Sequence, residues 1–322
     1  MRIIEGLDAL ADLNLAQLGD GIAAHCVVAV GVFDGMHLGH QRLIHDLLEM
    51  STELRGTPTV ITFENHPDAV VSGRSIQPLI NVPHRLRLLR RAGVQRVLLL
   101  QFDQAIREIS AETFALEVLH QGLRARGLLL GFDSAMGKNR EGTPARFAEL
   151  GEELGFEVRR GQALAVEGQT VSSTLIRDAI ARGDLDGAAR LLGRRPGAFG
   201  EVVHGHHRGR DLGFPTANLL PQDQVLPPAG VYAVEILHEG EQYVGVANLG
   251  NNPTFEDPAA PAESSHLSLE VHFLDCDLEI YGATLEVTFV ERLRQERKFE
   301  SIDQLRDQIA ADILAARRVL DS

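Results

Sequence analysis

Residues 25–40, HCVVAVGVFDGMHLGH, contain the transition that decides the fold of the first half of the chain. The apolar part, 25–33, predicts a buried strand, and the glycine-containing loop leads into a helix predicted over 41–55. The same alternation continues downstream, with strands predicted over 57–63, 94–100 and 126–132 and helices over 83–92 and 111–123. It favours a doubly wound α/β domain with a parallel sheet, whose ligands bind beyond the carboxyl ends of the strands.

The second half of the chain has a different pattern. A helical stretch over 173–192 leads into a linker predicted at 193–197, because two glycines and a proline fall together there. Short β-rich runs separated by Gly, Pro and Asn turns then follow, at 200–204, 230–237, 242–248, 268–274 and 284–290. Such runs predict a small antiparallel β-barrel.

The barrel is expected to end in an amphipathic helix over 299–320. Ser301 is its predicted N-cap. Four apolar residues recur on one predicted face, namely Ile302, Leu305, Ile309 and Ile313. At 322 residues the chain exceeds the size that one hydrophobic core usually fills. We therefore expect two domains, an α/β domain over 1–187 and a barrel domain with a C-terminal helix over 188–322.

The composition bounds the class of protein. Hydrophobic residues at 44% and charged residues at 24% are ordinary for a globular chain. No apolar run approaches the roughly 20 residues of a membrane helix, and the start of the chain does not resemble a secretory signal. We expect a cytoplasmic protein with no membrane partner, either a monomer or a weak homo-oligomer.

The charge and the cysteines exclude further classes. With 31 Lys and Arg against 45 Asp and Glu, the net charge of −14 argues against nucleic acid as a partner. Cys26 and Cys276 stand far apart without metal-ligand spacing, so both are expected to be buried thiols. Anionic small molecules remain possible ligands through local basic groups and backbone N–H groups.

The loop and helix start at 31–40 suit nucleotide phosphates. Gly31, Gly35 and Gly39 let the backbone approach a ligand, and the helix N-terminus supplies free N–H groups. His37 and His40 share one helical face and can donate hydrogen bonds as negative charge builds on a phosphate oxygen. The alternative is a capped helix start with incidental histidines.

A second motif lies near the end of the α/β region. In VSSTLIR, residues 171–177, three hydroxyl groups (Ser172, Ser173, Thr174) precede a helix start, and Arg177 could reach a phosphate. By itself this run is more often a helix cap. Together the two motifs resemble the nucleotidyltransferase superfamily of class I aminoacyl-tRNA synthetases and small adenylyltransferases. That resemblance implies attack by a substrate phosphate on the α-phosphorus of ATP, without a side-chain nucleophile.

The stretch 205–218, GHHRGRDLGFPTAN, closely resembles the riboflavin kinase signature. The resemblance implies a glycine-rich loop over ATP, a Mg²⁺ site formed by Thr216 and Asn218, and Glu270 as the general base. The implied ATP-binding residues are Gly205, Arg208, Gly209, Arg210, Gly213, Pro215, Thr216 and Asn218. Mg²⁺ prefers oxygen ligands, and a carboxylate can accept the proton of an attacking alcohol, so the chemistry agrees. For Glu270 the alternative is an exposed strand carboxylate.

Over nearly the whole chain the sequence resembles the bacterial bifunctional riboflavin kinase/FAD synthetase family. Further matching segments are 62–67, 131–137 with Arg140 and Gly142, 228–232, 248–255, 293–294 and 298–299. The implied ATP-binding residues of the first domain also include Phe33 and Asp133, and the implied flavin-binding residues are His66, Arg140, Arg294 and Phe299. The sequence departs from the family at Asn65, Ser134 and Met136, and within 81–85, where a Lys is common.

The resemblance implies two activities and simple requirements. The C-terminal domain would phosphorylate riboflavin to FMN and the N-terminal domain would convert FMN to FAD with release of pyrophosphate, both with ATP and Mg²⁺. One alternative is an N-terminal domain that is weak or adenylylates another phosphorylated metabolite, as the altered stretch 134–136 would allow. Another is a flavin-binding regulator or RNA-binding module, which the retained phosphate-handling sets and the negative charge oppose.

Overall fold

The computed structural model describes residues 1–11, 25–138, 141–204, 213–221, 224–251, 267–276 and 280–321. The chain forms two compact units. The first contains residues 1–78 and 82–173, and the second contains residues 79–81 and 174–322.

The first unit is built on a six-stranded parallel sheet with strand order β1-β4-β3-β2-β5-β6. Its strands are β1 (Arg2–Glu5), β2 (Cys26–Val30), β3 (Thr57–Phe63), β4 (Arg96–Leu100), β5 (Ala125–Leu130) and β6 (Glu157–Arg160). All neighbouring strands pair in parallel. The predicted doubly wound α/β fold is therefore confirmed, with two edge strands, β1 and β6, that the sequence patterns did not predict.

Helices connect these strands. They are α1 (Asp8–Ala11), α2 (Leu38–Glu53), α3 (Pro67–Ser72), α4 (Val82–Arg91), α5 (Gln104–Arg107), α6 (Ala111–Thr113) and α7 (Pro144–Leu154). The helix predicted over 111–123 is one turn of α6 followed by a π-helix, Phe114–Gly122. A short hairpin, β7 (Ala165–Val166) with β8 (Gln169–Thr170), completes the unit.

The continuous apolar runs of the sequence are explained by burial on both faces of the sheet. Every residue of β2 and of β4 is buried. Cys26 is buried, as predicted, and its thiol accepts a 2.6 Å hydrogen bond from the guanidinium of Arg96, which is itself only 1% exposed. Cys276 is half-buried, so the expectation of a buried thiol was wrong there.

The second unit contains most of α8 (Ser173–Arg182), then α9 (Leu185–Leu192) and a closed barrel. The barrel strands are β9 (Gly197–Val203), β10 (Ala217–Leu219), β11 (Gly230–His238), β12 (Glu241–Asn251), β13 (Leu267–Phe273) and β14 (Thr284–Arg294). Their order is β10-β13-β12-β11-β14-β9, and every pair is antiparallel. The predicted barrel is confirmed. Because Gly197 already belongs to β9, the predicted linker at 193–197 is partly barrel.

The C-terminal helix α10 (Ile302–Leu320) packs on the outside of the barrel. Ser301 is its N-cap, as predicted, and accepts a hydrogen bond from Gln304 N at 3.2 Å. Ala316 and its neighbours contact Val231, Ala233 and Val246. Ile302, the first residue of the predicted apolar face, is 63% exposed, so that face begins further along the helix than the sequence suggested.

Within the described ranges, no helix has both the length and the apolar character needed to cross a membrane.

Candidate active sites

The loop after β2 turns sharply before α2 begins. Three of its residues have left-handed backbone conformations, Phe33 (φ 53°), Gly35 (φ 77°) and Met36 (φ 44°). For a bulky residue such as Phe33 this conformation is unusual, and it persists because the surrounding structure holds it. The Phe33 ring is fully buried. The loop is therefore rigid at the carboxyl end of a central strand, where this fold binds ligands.

His37 ends this loop and caps α2. Its Nδ1 accepts a hydrogen bond from the backbone N of His40 at 3.3 Å. A nitrogen that accepts carries no proton, so His37 is neutral with its proton on Nε2. The rings of His37 and His40 stack, with centroids 3.6 Å apart and planes 14° from parallel. The predicted histidine pair thus forms one unit at a helix N-terminus.

His40 is held in its uncharged form. Burial lowers the pKa of His40 well below its usual 6.5, and the nearby cation of Arg85 lowers it further. Its Nδ1 is buried and has no hydrogen-bond partner among the described residues. Near neutral pH the two rings can therefore stack closely without repulsion between two cations.

The second predicted motif meets this loop. Ser173 Oγ donates a hydrogen bond to the backbone oxygen of Asp34 at 3.1 Å, across 139 residues of sequence. Ser172 is half-buried beside it. Thr174 is exposed and Arg177 is half-buried on α8, and both belong to the second compact unit.

The other residues predicted for the first site lie as follows. Gly31 directly follows β2, Gly39 is in the first turn of α2, and Asp133 is exposed in the loop after β5, the neighbour of β2 in the sheet. His66 caps α3 by accepting from Asp68 N at 3.2 Å. Arg140 lies outside the described residues.

In the barrel, three polar residues form a row across adjacent strands. Glu270 of β13 pairs directly with Asn218 of β10 on one side and with Asn248 of β12 on the other. Side chains of directly paired residues lie on the same face of a sheet. Their sequence neighbours, such as Leu219 and Leu269, fill the barrel core, so the row faces outward.

The predicted metal ligands begin this row. Asn218 is 8% exposed, and Thr216 is half-buried just before β10. The backbone oxygen of Pro215 lies 2.8 Å from Nδ1 of His272, which donates because a carbonyl oxygen can only accept. Exposed Gly213 (φ 88°) precedes this segment. Gly205, Arg208, Gly209 and Arg210 lie outside the described residues.

The predicted flavin-side residues of the barrel unit lie near the start of α10. The Arg294 guanidinium donates to both carboxylate oxygens of Asp312 at 2.8–3.0 Å. It also lies 5.8 Å from the ring centroid of half-buried Phe299. The structure therefore commits the Arg294 charge to Asp312, while its predicted contact with flavin stays a prediction.

Known proteins match both parts of the chain. A family model described as FAD synthetase matches residues 20–175, and one described as riboflavin kinase matches residues 192–320. The bifunctional riboflavin kinase/FMN adenylyltransferase of Escherichia coli (strain K12) is 37% identical, over 98% of this chain and 97% of its own. The chain belongs to the bifunctional riboflavin kinase/FMN adenylyltransferase family.

Two further comparisons agree. The family member from Haemophilus influenzae is 36% identical over 92% of this chain and 95% of its own. A crystal structure of a chain named macrolide-efflux protein, from Streptococcus pneumoniae, superposes with a TM-score of 0.79 at 30% identity, covering 98% of this chain and 99% of that one. That structure therefore shares the fold of this chain.

In this chain, the two residues predicted to bind magnesium offer ligands that suit the ion. Within the described part of the chain, no group of three or more His, Cys, Asp or Glu side chains could hold a metal. The Thr216 hydroxyl and the Asn218 amide instead offer two oxygen ligands. Such a sparse set suits Mg²⁺, which usually keeps several waters and takes phosphate oxygens from its nucleotide.

Sequence reasoning missed two residues that organise these sites. His272 was not among the predicted site residues, yet its ring anchors the segment before Thr216 through Pro215 O. Arg85 stood in a segment noted only as a departure from the family, yet its guanidinium donates to Val32 O at 2.8 Å beneath the histidine loop. Arg85 shares a helical face with Val82 and Leu89, and an arginine on that apolar face was the available signal.

Proposed function

We propose that this chain makes FMN from riboflavin in its C-terminal domain (188–322) and FAD from FMN in its N-terminal domain (1–187), using ATP and Mg²⁺. The observation that carries the proposal is that one chain contains both a stacked histidine pair at 37 and 40, at a helix N-terminus, and an outward polar row at 218, 270 and 248. Its partners are small molecules, riboflavin, FMN and ATP, and we expect it to act in the cytoplasm without nucleic acid.

In the N-terminal domain, an oxygen of the FMN phosphate attacks the α-phosphorus of ATP and pyrophosphate leaves. His37 donates from Nε2 to a phosphate oxygen whose charge increases in the transition state, and the free N–H groups at the start of α2 act on the same charge. The stacked ring of His40 adds a second neutral donor. Ser172 and Ser173 bind the departing phosphates.

In the C-terminal domain, Glu270 accepts the proton of the riboflavin 5′-hydroxyl as that oxygen attacks the γ-phosphorus of ATP, and ADP leaves. Thr216 and Asn218 would hold Mg²⁺, which would supply positive charge to the ATP phosphates. His272 keeps Thr216 in place through Pro215 O. Arg294 and Phe299 bind the flavin from the side of α10.

A second candidate keeps the kinase but gives the N-terminal domain another phosphorylated substrate. The departures at Ser134 and Met136 favour it. The departure at Asn65 does not, because the Asn65 amide donates to Phe102 O and accepts from Phe102 N, both at 2.8 Å. Those two bonds give Asn65 a structural part that is independent of any flavin.

The test is to incubate the full chain with riboflavin, ATP and Mg²⁺ and to separate the flavins. Formation of FAD supports both activities. FMN as the only product supports the second candidate, and unchanged riboflavin overturns the proposal.

A further inference from the structure

We propose that Arg85 is the positioning residue of the adenylyl-transfer site: its buried guanidinium fixes the loop that carries His37 and His40. The inference rests on the N-terminal activity proposed above. Arg85 lies on α4, about fifty residues after the loop, and it is only 4% exposed. It cannot reach bulk solvent, so its charge must act inside the protein.

The guanidinium joins the carboxyl ends of two neighbouring strands. Nη1 donates to Val32 O at 2.8 Å, and Nη2 donates to Phe63 O. Val32 follows β2 and Phe63 ends β3, and these strands are adjacent in the sheet. The Thr62 hydroxyl donates to the same Val32 oxygen at 3.1 Å. The planar fork of arginine therefore holds both strand ends at a fixed separation.

The position of this fork relates directly to the strained loop. Val32 immediately precedes Phe33, the first of the left-handed residues, and the loop then runs to His37 within four residues. A peptide plane fixed at Val32 sets the direction in which the chain enters that turn. The location of the His37–His40 stack thus depends on a residue whose guanidinium donates to Val32 O and Phe63 O.

Arg85 keeps its positive charge although burial disfavours the charged form. Burial lowers the pKa of Arg85 to about 10, and the buried carboxylate of Asp34 opposes that shift. The group is therefore still a cation near neutral pH. Its Nε has no hydrogen-bond partner among the described residues. A well-packed apolar residue would often be at least as stabilising as a buried ion pair, so a cation here points to the phosphate-binding site above it.

The test compares three variants of the full chain in FAD formation from supplied FMN. Arg85→Gln keeps donors for carbonyl oxygens but loses the charge and the fork. Arg85→Lys keeps the charge without the fork. Arg90→Gln is the matched control, because Arg90 is exposed on the same helix. The wild-type chain must first form FAD, and its failure to do so would reject the proposed function rather than the role of Arg85.

We expect Arg85→Gln to lower kcat about 10- to 100-fold, the size of effect that a small misplacement of catalytic groups produces. KM for ATP and for FMN should change much less than kcat, because a positioning residue acts through the loop rather than on the substrate. Arg85→Lys should fall between wild type and Arg85→Gln, and Arg90→Gln should equal wild type.

Histidine-ring NMR gives a readout that is independent of turnover. In Arg85→Gln the ring signals of His37 and His40 should move, while those of exposed His45 on α2 should not. Unchanged signals with kcat above about half of wild type would overturn the proposal. So would a rise in both KM values as large as the fall in kcat, because Arg85 would then act on substrate directly.

Discussion

The protonation state of His40 links the chemistry of the first site to the stability of its domain. Because burial holds the pKa of His40 well below 6.5, the folded chain leaves this ring unprotonated where the unfolded chain binds a proton. The resulting contribution to stability is complete above about pH 6.5 and is lost as pH falls through the range below it. The same ring must remain neutral to stack on its partner.

We therefore predict that wild type loses stability faster than His40→Gln between pH 6.5 and pH 5. The difference should approach about 1.4 kcal/mol per pH unit, the value for one proton. Thermal unfolding of the N-terminal domain at both pH values measures it. His45→Gln, an exposed change on the same helix, should follow wild type. Parallel curves for wild type and His40→Gln would contradict the assignment.

Glu270 and the two metal ligands should differ in their kinetic signatures. Glu270→Gln keeps size but cannot accept a proton, so kinase turnover should fall about 10²- to 10⁴-fold with little change in ATP or riboflavin binding. Thr216→Ala and Asn218→Ala should instead weaken the apparent affinity for Mg²⁺·ATP as well.

Steady-state kinase kinetics over a Mg²⁺ series separate these cases, with conversion of FMN to FAD as the folding control. The general-base role of Glu270 is rejected if Glu270→Gln retains more than about a tenth of wild-type turnover.

The site residues differ in how readily they can be predicted from the sequence. His37, His40, Ser173, Asn218 and Glu270 stand in short motifs, and the structure brings Ser173 to the histidine loop and Asn218 to Glu270. Arg85 and His272 act through backbone oxygens that are distant in sequence. No local pattern predicts such contacts, because they depend on which strands become neighbours.

At the scale of elements, one ion pair fastens α10 to the barrel. The guanidinium of Arg294, on β14, donates to both carboxylate oxygens of Asp312, on α10. The Asp312 side chain is only 6% exposed. Gln308 Nε2 donates to the same carboxylate at 2.7 Å. Removing Asp312 would leave a partly buried guanidinium uncompensated beside the predicted flavin contact, Phe299.

We predict that Asp312→Ala destabilises the barrel unit by about 2 kcal/mol, less than the 3–5 typical of fully buried pairs because Arg294 keeps some solvent contact. The control is Asp275→Ala. Asp275 is the exposed partner of Arg317, a residue of α10, so its removal should leave the free energy of unfolding nearly unchanged. Chemical denaturation of the three chains measures the effect. Equal losses of stability in both variants would show that the Arg294–Asp312 pair contributes no more than an exposed ion pair.

The elements themselves were largely predictable, and the exceptions have physical causes. The central strands are buried on both faces and read as unbroken apolar runs, so β3 was predicted with the bounds that it has. The three residues of β10 are too few for a period-two pattern, and two of them, Ala217 and Asn218, lie within the motif at 205–218. The π-helix after α6 keeps an apolar spacing typical of helices, so the sequence pattern does not distinguish its wider turns from those of an α-helix.

At the scale of the molecule, the predicted boundary at 187/188 cuts through the second compact unit, which includes α8 from Thr174 onward. Leu185 of α9 packs in the barrel core. Asn81 also belongs to this unit, and its amide donates to Phe199 O of β9 at 2.7 Å. A fragment that starts at 188 therefore lacks native contacts of the barrel.

We predict that fragments 188–322 and 174–322 both fold and phosphorylate riboflavin, but that 174–322 is the more stable. Restoring buried Leu185 alone should contribute about 1.5–3 kcal/mol. Circular dichroism melts and kinase assays compare the two. If 188–322 is folded but inactive, the assignment of the kinase to this part of the chain is wrong.

The barrel closes by pairing β9 with β14, the first of its six strands with the last. A ribosome releases the chain from its N-terminus, so all six strands of the parallel sheet are available before β9 emerges. The barrel cannot close until β14 has emerged, close to the end of synthesis. During that interval its open edges are available to other nascent chains. Slow translation between β9 and β14 would therefore lower the yield of the kinase half while leaving the adenylyltransferase half intact.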